Sequence, residues 1–119
     1  MLLAEDNALV ASMYAAALRR LSDNEGLPSI NIEIASDGAV ALDRVMRSPA
    51  IDILVTDVFM PGLSGISLVE KIRAEPSIAE LPIVAITSGG ERERERLARL
   101  GVTLFLRKPV SYQDVAGAI

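Results

Sequence analysis

The sequence predicts an α/β protein built as (βα)5, a doubly wound sheet of five parallel strands with helices on both faces. Apolar runs of strand length alternate with helix-length amphipathic stretches along the whole chain, as crossover connections between parallel strands require. The third run, "IDILVTD" (51–57), is a nearly continuous apolar strand, as expected where both faces are covered. With 119 residues, 50% of them hydrophobic but only 3% aromatic, the chain suits a single domain whose core is built from Leu, Ile, Val and Ala.

"MLLA" (1–4) is a short first strand. In "NALVASMYAAALRRL" (7–21), Leu9, Val10, Met13, Tyr14, Ala17, Leu18 and Leu21 recur at helical spacing, with Asp6 or Asn7 as the cap. A polar loop (22–28) leads to "SINIEIA" (29–35), where the alternation of Ile30, Ile32 and Ile34 predicts an edge strand with one wet face. Asp37 and Gly38 open a second helix that runs to about Arg47, and Pro49 closes it before the third strand. The third helix is expected over 65–75, the fourth strand over 82–87, the fourth helix over 92–100 with Gly101 as its stop, and the fifth strand over 103–108. "SYQDVAGAI" (111–119) starts a short fifth helix. Right-handed crossovers leave few topologies for such a chain.

Composition removes several kinds of chemistry. Without Cys there are no disulfides or thiolate zinc sites, and without His there are no imidazole ligands or His-activated nucleophiles, so a metal would be a hard cation on oxygen ligands. A net charge of −4 argues against direct nucleic-acid binding. No signal peptide and no membrane-spanning run is evident, so a cytoplasmic location is expected.

In an open doubly wound sheet, ligands bind outside the carboxyl ends of the strands. The first strand ends in Glu5-Asp6, the third in Asp57, the fourth in Thr87-Ser88 and the fifth in Lys108-Pro109. Each has an ordinary explanation: Asp6 as a cap of the first helix, Thr87 or Ser88 as a cap of the fourth, Lys108 as a surface charge. Together they suggest more, because three carboxylates on one rim repel one another unless a cation or a shared proton neutralises them. Mg2+ suits carboxylates, and a hydroxyl with an ammonium suits phosphoryl oxygens. The set reads as a phosphoryl-transfer site with a carboxylate nucleophile.

At this point "LLAEDN" (2–7), "DILVTDVFMPGLSG" (52–65), "PIVAITS" (82–88) and "LFLRKPV" (104–110) resemble the receiver domains of two-component response regulators. The thirty residues from Asp57 to Thr87 and the twenty-one from Thr87 to Lys108 are similar to that family's spacing. The resemblance implies a flavodoxin-like, CheY-like fold with strand order 2-1-3-4-5. It implies that Asp57 is the phosphoacceptor, that Asp6 and Asp57 ligate Mg2+ (or Mn2+) with the backbone carbonyl of Phe59, and that Glu5 acts in the outer shell through water. Lys108 and Thr87 would bind the phosphoryl group, the Lys108–Pro109 peptide would be cis, and Thr87 and Phe105 would form the switch. The implied partners are a histidine kinase or phosphotransfer protein and an output domain or partner protein, with a homodimer as a further option. The missing His then has a reason, since the donor histidine sits on another protein.

"GGERERERLARLG" (89–101) has two readings. It is either a solvated helix face, its i,i+3 charge pairs offset by repulsive i,i+4 pairs, or, as the resemblance suggests, part of the surface that a partner reads together with the fifth strand. Some features depart from the family pattern. "SDNEGLPS" lengthens the interval between Asp6 and Asp57, Phe59 places a bulky apolar group beside the phosphoacceptor, and the short first strand and last helix suggest a domain cut from a longer protein. An aspartyl-phosphate hydrolase is an alternative, disfavoured because Phe59 stands where its second acid is needed. A flavin-phosphate module lacks its phosphate loop, and a degenerate receiver acting as a dimerisation module is disfavoured by the intact acids, Thr87 and Lys108.

Overall fold

A computed structural model describes residues 1–24, 31–47, 51–58, 63–87, 91–102 and 104–107. The elements follow in the order β1 (Leu2–Ala4), α1 (Ala8–Asn24), β2 (Glu33–Ala35), α2 (Gly38–Val45), β3 (Leu54–Asp57), α3 (Gly65–Ala74), β4 (Ile83–Thr87), α4 (Glu91–Arg99) and β5 (Leu104–Arg107). All strand pairs are parallel and the sheet order is β2-β1-β3-β4-β5, as expected. The fifth helix expected over 111–119 lies outside the described residues.

Strand alternation divides the core between the two faces. Leu2, Ala4, Leu54, Ile83 and Ala85 pack with Ala41 and Val45 of α2, Leu68, Val69 and Ile72 of α3, and Leu97 of α4. Leu3, Val55, Val84 and Ile86 pack with Ala11, Tyr14 and Ala15 of α1. This corrects part of the reading of α1. Tyr14 is buried on the sheet and Val10 packs against the same cluster, as expected, but Ala11 and Ala15 are the other buried positions, while Leu9 is 72% and Met13 59% exposed. The side chains of Ala17, Leu18 and Leu21 lie outside the described residues.

The edge position of β2 is as expected, but its alternation does not translate into burial. Ile32 is buried on the α1 face, whereas Ile34, paired with Leu3 in the register, is exposed at the sheet margin. Glu33 on the same strand takes a fork of two hydrogen bonds from Arg44 of α2, tying the edge strand to its crossover helix.

Helix ends follow local chemistry. Asp37 accepts the Val40 N–H at 2.9 Å and Ser64 accepts the Ser67 N–H at 3.2 Å. At the other end of α4, Gly101 adopts φ 83° while its N–H bonds the Ala98 carbonyl and Val102 N–H bonds the Leu97 carbonyl. That is the left-handed glycine stop predicted from the sequence. Among the described residues no helix is long and apolar enough to cross a membrane.

Candidate functional site

The register of the sheet determines what meets at its carboxyl rim. Ala4 is level with Thr56 and Thr56 with Ala85, so Glu5, Asp57 and Ile86 stand in one row and Thr87 one residue beyond. Backbone bonds hold the row in place: Glu5 N–H to the Ala35 carbonyl and Val58 N–H to the Ile86 carbonyl, each at 3.0 Å. Carboxylates at the end of a central strand are thereby fixed by the ladder itself.

One carboxylate oxygen from each of Glu5, Asp6 and Asp57 lies within 4.8 Å of the others. Glu5 is 2% and Asp57 1% exposed, while Asp6 faces solvent. The cluster is thus walled on the protein side and open on the other. Asn7, not Asp6, caps α1: its Oδ1 accepts the Val10 N–H at 3.0 Å. Asp6 is released from capping and turns toward the other two acids. The Asn7 N–H donates to Glu5 Oε1 at 3.1 Å, which orients that carboxylate.

This donor set fits a hard divalent cation. It offers only carboxylate oxygens, gathers enough negative charge to require neutralisation, and keeps one side open for water or a phosphoryl group. Thr87 is buried at the end of β4. Phe105 is half-buried on β5 and packs against the core on the α2–α4 face. Phe59, Lys108 and Pro109 lie outside the described residues.

Two contributors to this region have no mark in the sequence pattern. Gly65, the first residue of α3, sits against the strand end: a Cβ built there would fall 2.1 Å from the Asp57 carbonyl oxygen. Its N–H bonds the Val58 carbonyl at 2.8 Å. The other is Arg94 of α4, whose guanidinium carbon lies 5.1 Å from the centroid of the Phe105 ring.

Comparison with known proteins gives a consistent result. The family model described as "Response regulator receiver domain" matches residues 1–119. The chemotaxis protein CheY of Pseudomonas aeruginosa is 34% identical over 101 residues, covering 82% of this chain and 81% of that protein. The sensor histidine kinase TmoS of Ectopseudomonas mendocina is 34% identical over 89 residues, which is 74% of this chain but 9% of the kinase. Among solved structures, a response regulator receiver protein from Pseudomonas putida superposes with a TM-score of 0.80 at 26% identity, covering 98% of this chain and 91% of that one.

Proposed function

Because this chain belongs to the response regulator receiver domain family of two-component signalling, we propose that Asp57 accepts a phosphoryl group from a histidine of a partner kinase or phosphotransfer protein. The observation that carries the assignment is the carboxylate cluster. Asp57, almost fully buried yet at a strand end, meets Glu5 and Asp6 within 4.8 Å. A buried acid with two acidic neighbours is a poor choice for stability and a good one for binding a cation next to a phosphoryl group.

In the transfer, an Asp57 carboxylate oxygen forms a bond to phosphorus as the phosphorus–nitrogen bond of the donor phosphohistidine breaks. The electron pair leaves on the imidazole, and the product on Asp57 is an acyl phosphate. Asp6 and Asp57, with the Phe59 backbone carbonyl and with Glu5 through water, are the residues proposed to hold Mg2+ (or Mn2+). A bound divalent cation offsets charge on the phosphoryl oxygens. Lys108 and Thr87 take the remaining phosphoryl oxygens, so positioning and electrostatics account for most of the catalysis.

Thr87 and Phe105 then relay the change to the surface around α4 and β5, where an output domain or partner protein reads it. The chain is in this reading a signalling domain whose chemistry is confined to its own phosphorylation and dephosphorylation. The test is intact-mass measurement after incubation with acetyl phosphate and Mg2+. Wild-type protein is expected to gain one base-labile phosphoryl group and Asp57→Asn none. Equal labelling of both, or labelling of neither, would overturn the assignment.

A further inference from the structure

The contact between Arg94 and Phe105 has no role in that scheme. Arg94 lies on α4 three residues before Leu97, the buried residue by which the helix is seated on the sheet. Residues three apart lie on neighbouring turns of one helix side, so the exposed Arg94 side chain reaches over β5, with its guanidinium 5.1 Å from the Phe105 ring centroid. A cation over an aromatic face is attracted by the ring quadrupole, and a guanidinium also stacks flat on it. The half-buried ring lies between the core beneath it and the Arg94 guanidinium outside.

Its surroundings on the sheet are asymmetric. Phe105 is the register partner of Ala85. Ala85 and Phe105 pack with the core on the same face, and Thr87, two residues along β4, shares the parity of Ala85. Ala85 brings only a methyl group, so no bulky β4 side chain stands on that face between the ring and Thr87. On β4, then, only a methyl group stands beside the ring on the way to Thr87, and the cation–π contact with Arg94 favours the ring's present place.

We propose that Arg94 is a positioning residue that latches Phe105 in its half-buried place and so sets how readily the site at Asp57 enters its phosphorylated state. The proposal rests on the phosphoacceptor reading and deepens it. A contact present in only one of two states stabilises that state by its full worth, and a ligand favouring the other must overcome it. When the competent arrangement is a minor one, the apparent affinity of a phosphoryl group scales with its population. Exposed cation–π contacts are of a size that corresponds to an effect of about two- to fivefold.

The test compares wild type, Arg94→Met and Arg94→Lys. Met keeps an unbranched apolar stem without charge, and Lys keeps the cation. The probe is beryllium fluoride with Mg2+, a reversible phosphoryl mimic. The readouts are its Kd and the ring resonances of Phe105, distinguished from those of Phe59 by the spectrum of Phe105→Leu. Arg94→Met is expected to move the Phe105 resonances of the ligand-free protein in the direction that the probe moves them in wild type, and to tighten probe binding by about two- to fivefold. Arg94→Lys is expected to stay near wild type. If wild type binds the probe but Arg94→Met has unchanged resonances and Kd, or if Arg94→Lys shifts as far as Arg94→Met, the latch is overturned and the phosphoacceptor reading survives. If wild type binds no probe, both fall.

Discussion

Replacing Gly65 by Ala tests how the fold holds Asp57 in place. Two effects compete. Alanine is the better helix former by about 1 kcal/mol in a helix interior, and at the first position of α3 the gain is no larger. Against it, the new Cβ would lie 2.1 Å from the Asp57 carbonyl oxygen, 2.8 Å from Val58 Cα and 3.0 Å from the Asp57 carbonyl carbon. Ordinary contact starts near 3.4 Å, so helix and strand end must separate by more than an ångström at the closest atom. All three obstacles are backbone, and no flexible side chain can yield. Overpacking of this kind costs about 1–3 kcal/mol, and the upper end applies here. With a urea dependence of about 1–3 kcal/mol per molar, the midpoint should fall by about 1 M or more.

The functional consequence is separable from stability. Since the displaced atoms include the backbone of the proposed phosphoacceptor, phosphate uptake per folded molecule should fall in Gly65→Ala, read by intact mass with acetyl phosphate well below the unfolding range. Gly38→Ala is the matched control, because the three atoms its Cβ would meet most closely all belong to Leu63, the carbonyl oxygen also at 2.1 Å. It should lose comparable stability with a smaller loss of uptake. An unchanged or raised midpoint together with normal uptake in Gly65→Ala would refute the reasoning.

Other residues give sharper single readouts. Arg73 donates to the carbonyls of Leu100, Ala79 and Leu81 at 2.6, 2.8 and 2.8 Å, so Arg73→Met should cost about 2 kcal/mol and lower the thermal midpoint by about 6–10 °C, with a shift near zero counting against it. The hydrogen bond from Arg44 holds the Glu33 carboxyl below its ordinary pKa of 4.5. A depressed carboxylate contributes stability that is present above that value and lost as pH falls through the folded value. The stability gap between wild type and Glu33→Gln should therefore narrow as pH drops below 4.5, and a gap constant with pH would disprove the linkage. Asp6→Ala should abolish Mg2+ binding in a calorimetric titration without unfolding the chain, because Asn7 and not Asp6 caps α1; unchanged affinity would reject Asp6 as a ligand.

The parallel (βα) alternation, the Asp37 cap and the Gly101 stop were legible in the sequence because each depends on local pattern and chemistry, whereas crossover handedness only narrowed the topologies and the strand order came from the family resemblance. Convergence of Glu5, Asp6 and Asp57 was legible for a related reason: parallel strands must end on one rim, and these acids directly follow or close a strand. The face of α1 was legible only in part. Weighing large apolar residues places Leu9, Val10, Met13 and Tyr14 on it. Tyr14 and Val10 do pack on the sheet, but Ala11 and Ala15 take the places beside them and Leu9 and Met13 are exposed. Gly65 and Arg94 were hidden because their partners, the Asp57 backbone and Phe105, are neighbours only through the fold.

The weight of that hidden layer falls on α4. Helix α3 buries Gly65, Leu68, Val69 and Ile72, whereas α4 buries Leu97 among its described residues and is otherwise covered in Glu and Arg. Its acidic first turn and basic last turn suit the helix dipole, but such terms are small beside core burial. Among the described residues, α4 and the turn after it are seated by Leu97 and Leu100 against the core, Arg73 on the Leu100 carbonyl, Arg96 to Glu70 of α3 at 2.6 Å, and Arg94 over Phe105. An element held by few contacts opens at lower cost than one held by many. The ties to α3 secure one flank of the helix, and the Arg94 contact connects it to the strand that runs toward the acidic rim. On the reading proposed above, a change at Asp57 that moves Phe105 would act on α4, which buries least among the described residues of this face, through the contact with Arg94, a tie that does not involve α3.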